Sequence, residues 1–242
     1  MAQHGSRPQY RTAAAADKAD PRPSTPGARA GPATASRWAA HVALAPPSGY
    51  LRPMTLNELL ATPGVTSQQV QAHLASLSGE ERVRQATALD RRHHHTLWEL
   101  SASTEPLRLD EVVPPDRRPL DPVPFEGQNS QPIYRPFKKV FFRTGDGRIG
   151  GYNDSPAAWF AGPGYYLLKA DASGVYVDYT EVPADKPAGW PPIKPNTAGF
   201  SRFVYGHMKD YLRRVYGRVV IGRAFRHGKA TPNYFVLARP EV

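Results

Sequence analysis

Cysteine is absent from all 242 residues, which excludes disulfides, thiolate metal ligands and thiol nucleophiles. No run approaches the ~20 apolar residues that a helix needs to cross a bilayer, so no membrane span is expected. The N-terminus has no apolar core of the secretory-signal kind; its basic, acid-poor make-up is that of a transit peptide, but Asp17, Asp20 and many prolines fit that poorly. The resulting expectation is a cytoplasmic protein. Also missing are a phosphate-binding glycine loop, metal-ligand spacing and a nucleophile elbow, and no cofactor or metal is expected.

Large aliphatic residues are scarce in residues 1–50, which read as Ala, Pro, Arg, Ser and Gly, as in Ala13-Ala14-Ala15-Ala16 and Pro21-Arg22-Pro23-Ser24-Thr25-Pro26. Such a segment buries too little apolar surface to offset chain entropy. It reads as a disordered basic tail, of the kind a GC-rich bacterial genome writes into unconstrained sequence. A protein partner docking through residues 1–50 is one use it could have. The net charge of +10 is uneven: residues 1–50 carry six Lys/Arg against two acids, and residues 201–242 carry nine against two. The middle of the chain is therefore near neutral, which points to a basic tail and a basic C-terminal face rather than a uniformly basic surface.

Residues 51–101 have helical signals. Thr55 with Glu58 has the form of a capping box, followed by Leu56, Leu59 and Leu60 and closed by Pro63-Gly64. Thr66 with Gln69 repeats the signal ahead of Val70, Leu74 and Leu77, and Ser78 with Glu81 opens a third helix running through Leu97 to Leu100. Residues 102–132 hold seven prolines, from Pro106 to Pro132, and read as an irregular strap with a short turn at Asp110–Val113.

Residues 133–242 form the β-rich part. Twenty of the 25 aromatic residues fall between Tyr134 and Phe235, in segments punctuated by Gly, Pro and Asn. Gly145-Asp146-Gly147 between Phe137–Arg143 and Arg148–Tyr152 signals a hairpin, as does Asp171–Gly174 between Tyr165–Lys169 and Val175–Thr180. Phe200–Tyr205 reads as a strand, and Met208, Tyr211, Leu212 and Val215 have helical spacing. Arg218–Arg226 and Asn233–Arg239 form a last hairpin around His227-Gly228-Lys229, giving about seven sequential strands. The fold class expected is α+β: short N-terminal helices followed by an antiparallel, strongly curved β-sheet or β-barrel.

The hairpin order and the small residues Gly222 and Ala224 on one face of a late strand suit a closing sheet. Over about 100 residues the chain resembles the calycin group of lipocalin-like and fatty-acid-binding β-barrels, although their Gly-x-Trp-x-Gly opening strand is absent. What that resemblance implies is an enclosed pocket for a small molecule.

Candidate chemistry is thin. His93-His94-His95 draws the eye, but neighbours on a helix point about 100° apart and cannot converge on one ion. Gly199–Gly206 matches an RNA-recognition strand in part, yet Arg202 stands where a second stacking aromatic is required, which argues against nucleic acid. Gly150-Gly151 and Gly162-Pro163-Gly164 do not open a helix after a strand and read as turns or bulges. Arg213, Arg214, Arg218, Arg223, Arg226 and Lys229 could hold an anion, or simply be a solvated charged face. The sharpest constellation is Tyr205, His207, Tyr211 and Arg214 with Asp178.

The leading expectation is a binding protein with an aromatic-lined pocket for a small apolar or amphipathic ligand. Its candidate lining is Tyr152, Tyr165, Trp190, Tyr205, His207, Tyr211 and Arg214, with an anionic group read by Arg214 or His207. Two alternatives stand beside it: an enzyme using Tyr205, His207 and Asp178, and an assembly protein docking through its tail and strap.

Overall fold

The computed structural model describes residues 52–132, 135–155, 162–197, 199 and 201–241. The tail expected over residues 1–50 lies outside them.

Two of the three expected capping boxes form. The Thr55 side chain accepts from the Glu58 amide at the start of α1 (Leu56–Ala61), and Thr66 does the same with Gln69 for α2 (Ser67–Ala75), with both boxes closed reciprocally. Ser78 caps α3 (Gly79–Thr87) through the Glu81 amide. The third expected helix is in fact two, because the chain breaks after Thr87 and resumes as α4 (His93–Leu100). A short helix α5 (Leu109–Val112) occupies the turn expected near residue 110.

Eight antiparallel strands then close into a barrel, each beside its neighbour in sequence: β1 (Val123–Asn129), β2 (Pro136–Arg143), β3 (Ile149–Asp154), β4 (Tyr166–Asp171), β5 (Gly174–Asp178), β6 (Met208–Tyr216), β7 (Val219–Arg226) and β8 (Lys229–Ala238). The ring is completed by β1 against β8, from Glu126↔Ala238 to Asn129↔Phe235.

Three readings of the sequence are corrected. The strap is not strand-free, for it contains β1. Pro124 lies where β1 pairs only with β2, since pairing to β8 begins at Glu126, so a missing N–H is tolerated there as on an edge strand. Pro232 is tolerated likewise, at the register shift between β7 and β8. The segment with helical spacing at Met208, Tyr211, Leu212 and Val215 is strand β6. Its apolar residues serve both faces, Leu212 packing inside and Val215 and Tyr211 packing outside, and this erases the alternation of a one-sided strand. Conversely, residues 201–205 form a short helix, α6 (Ser201–Tyr205), which buries only Tyr205 and leaves Phe203 59% exposed.

Residues of alternating parity fill the lumen. Phe125, Phe141, Ile149, Tyr166, Leu168, Val177, Tyr179, Leu212, Val220, Phe235 and Leu237 belong to one buried cluster. Leu107, Val112 and Val113 join it from the strap, and Tyr205 and Val204 from α6. Gly222 is required by this packing: a Cβ there would sit 2.2 Å from Cζ of Phe235. Gly151 lies inside β3 rather than at a turn, because the Tyr166 ring covers it, with Cε2 2.3 Å from a notional Cβ. The outer face of β6–β8 is covered by α1–α4 through Val215, Val219, Ile221, Tyr234 and Val236 against Leu56, Leu74, Leu89, Leu97 and Trp98. A third cluster, Val140, Phe142, Tyr152 and Tyr165 with Trp190 and Ile193, seals the outside of β2–β4.

Candidate functional site

The residues expected to line one pocket are distributed over four places. Tyr152, Tyr165 and Trp190 pack together in the cluster outside β2–β4, where the Tyr165 hydroxyl donates to the Pro191 carbonyl at 2.8 Å. Burial pushes the Tyr165 hydroxyl up to about 12, as suits a structural phenol. Arg214 is engaged by Glu111 and lies 3.6 Å from Glu105, tying β6 to the strap. Tyr205 is inside the barrel end, its ring stacked on Tyr179 at 5.0 Å. Tyr211, on the outer face of β6, and His207, just before that strand, line the same cleft.

The expected trio is not assembled either. Asp178 points outward, bonded to Lys169 at 3.1 Å and to the Thr180 hydroxyl at 2.6 Å, whereas Tyr205 is buried in the lumen. Among the described residues no hydrogen bond joins Tyr205, His207 and Asp178 to one another.

The cleft that does contain His207 and Tyr211 has a volume of about 540 Å³. It is built on alternate outward residues of β6, namely Lys209, Tyr211 and Arg213, with Phe225 from β7 and Trp98 from α4. Tyr211 meets Phe225 edge to face at 5.1 Å and lies 5.2 Å from Tyr176, so the floor is aromatic. Arg213 is fixed: its guanidinium lies 3.9 Å over the Trp98 ring and donates to the Trp98 carbonyl at 2.9 Å. Lys209 sits 4.6 Å over the Tyr176 ring. At the rim, His207 and His227 stack at 4.5 Å, and both hold positive φ, +56° and +51°, a region that non-glycine residues seldom adopt.

Among the described residues no carboxylate lines the cleft, although Glu99 acts electrostatically on Arg213, and Asp171 and Asp178 on Tyr211. Asp171 accepts from the Tyr211 hydroxyl at 2.9 Å without being part of the lining. Desolvation, helped by that carboxylate, pushes the Tyr211 hydroxyl up to about 12 and keeps it a donor at neutral pH. Desolvation also lowers the affinity of the Arg213 guanidinium for its proton. The arrangement offers a flat aromatic surface beside cations, and none of its polar groups is placed as a nucleophile–base pair.

Sequence reasoning missed a second constellation, inside the barrel. Lys139 is 2% exposed, and its Nζ donates to Asn153 Oδ1 at 3.0 Å, to the Tyr179 hydroxyl at 2.6 Å and to Asp210 Oδ2 at 3.4 Å. Asn153 Nδ2 donates to the same Tyr179 oxygen at 3.1 Å. Aromatic rings surround the amine, with Tyr166 at 4.8 Å, Tyr179 at 5.1 Å and Phe235 at 5.2 Å. Burial pulls the Lys139 amine below its ordinary value and pushes the Asp210 carboxyl above its own, each against the attraction of the other. The signal was present in the sequence: Lys139 has the parity of Phe137 and Phe141, and Asp210 that of Leu212, which puts two charges on the core face.

His93, His94 and His95 diverge as their spacing requires. His94 faces the carbonyls of Asp90 and Gln128, while His95 meets the Tyr234 hydroxyl at 3.0 Å. No family model, curated protein or solved structure matches this chain.

Proposed function

We propose that the protein binds a small amphipathic ligand in the outer cleft of β6 and β7, with a flat apolar body against Tyr211 and Phe225 and an anionic group beside Lys209 and Arg213. The observation that carries this reading is an aromatic floor flanked by two cations and two histidines with no lining carboxylate among the described residues. Binding sites combine apolar walls with a few convergent polar groups, and an anion is favoured where cations lack an acidic partner in the wall. The barrel is then a scaffold, unlike calycin-type barrels, whose resemblance implies a ligand held inside. The lumen here is occupied by its own side chains.

The test is a fluorescence titration of the full chain with 1-anilinonaphthalene-8-sulfonate, a flat aromatic anion. Saturable binding at a single site is expected. The double variant Lys209→Gln/Phe225→Ala should weaken it by at least ~10-fold, the equivalent of about 1.4 kcal/mol. Unchanged affinity in the double variant, or no binding by the native chain, contradicts the reading.

A further inference from the structure

The interior cluster plays no part in ligand binding at the outer cleft, and its geometry has a chemical consequence of its own. Lys139 and Asn153 are direct register partners on adjacent strands β2 and β3, with the amine 3.0 Å from the carboxamide oxygen. Asp210 reaches the same amine from β6, across the lumen, at 3.4 Å. All three side chains are buried, among Tyr166, Tyr179, Tyr205 and Phe235. Desolvation shifts a lysine toward its nucleophilic free-amine form, and an amide held beside it raises the effective concentration of the two groups.

We propose that Lys139 and Asn153 become joined by an intramolecular amide bond, a covalent rung between β2 and β3, with Asp210 carrying the proton. In this step Nζ of Lys139 forms a bond to Cγ of Asn153, and the Cγ–Nδ2 bond breaks. The proton that Nζ gives up reaches the departing Nδ2 by way of the Asp210 carboxyl and the Tyr179 hydroxyl, which is hydrogen-bonded to both nitrogens. Ammonia leaves, Asp210 and Tyr179 end as they began, and neither an oxidant nor a second substrate is consumed. Burial shifts both groups toward the reacting forms, lowering the pKa of the amine and raising that of the carboxyl. Exclusion of water also protects the product from hydrolysis.

The test is peptide mapping of the full-length protein, folded and then denatured and digested, with intact mass measured in parallel. The expected result is a branched peptide joining the segments that carry Lys139 and Asn153, lighter than the two together by about 17 Da, the mass of ammonia. Lys139→Arg should lack the branched peptide and retain the full mass, and Asp210→Asn should slow or abolish its formation in folded protein. Because either variant can fail to fold, the native map decides alone: separate, unmodified peptides for the two segments overturn the proposal. A loss of ammonia that persists in Lys139→Arg overturns it as well.

Discussion

Gly222 shows how closely single residues set this barrel. Its hydrogen faces the Phe235 ring, which itself packs edge to face on Phe137 at 6.0 Å. Gly222→Ala has no free volume to enter and should cost about 1–3 kcal/mol in a urea unfolding titration. His94 makes a second residue-scale prediction. It is fully buried, and desolvation lowers its pKa from the ordinary 6.5, an effect strengthened by the nearby Arg135 guanidinium. Below that value the unfolded chain binds a proton that the folded chain refuses, so stability is complete above 6.5 and is lost as pH falls through the window beneath it. His93 is lowered as well and acts in the same direction. The melting temperature should therefore drop as pH falls below 6.5, and less steeply in His94→Gln. A flat profile in the native protein, or equal slopes in the two, contradicts this assignment.

At this scale the candidate site was only half legible. His207 and Tyr211 do share a cleft, although His207 precedes β6 and reaches the rim through a positive φ rather than by strand alternation. Tyr205, two residues before His207, does not join them, since α6 ends there and the chain turns through Gly206 and the positive φ of His207. Trp98 and Arg213 come together only through the packing of α4 on the barrel, a contact more than a hundred residues apart in sequence. Nothing local announces such a pairing.

Among the elements, helix starts were the easiest to read, because a capping box is a complete local argument in four residues. Thr66 is such a case: its side chain serves the Gln69 amide, and Gln69 returns the bond to the Thr66 amide at 2.9 Å. Thr66→Ala should lower stability by about 0.5–2 kcal/mol with little change in the steepness of unfolding, checked by urea titration. β6 and α6 were misread for opposite reasons. β6 carries apolar residues on both faces, Leu212 inside and Tyr211 and Val215 outside, so they lose period two, whereas α6 is too short for any period to declare itself. The strap shows the limit of reading prolines as breakers. Pro124 falls where β1 pairs on one side only, where the missing N–H costs least.

The described residues form a closed ring of eight antiparallel strands, with its lumen filled, four helices laid on one outer flank and the strap packed into its core. Closure was foreshadowed by sequential hairpins and by small inward residues late in the chain. What composition could not separate was aromatic core from aromatic site, since Phe141 and Phe225 look alike in one dimension. The first belongs to the lumen and the second to the outer cleft. Closure therefore moves the search for a ligand from inside the barrel to its surface.

The most direct test of that claim is a crystal structure of the full chain with 1-anilinonaphthalene-8-sulfonate bound. The account predicts the probe in the outer cleft, its rings on Tyr211 and Phe225 and its sulfonate beside Lys209 or Arg213, with the lumen unchanged. A probe seated inside the barrel, with Tyr205 displaced and the Lys139 cluster opened, would contradict it.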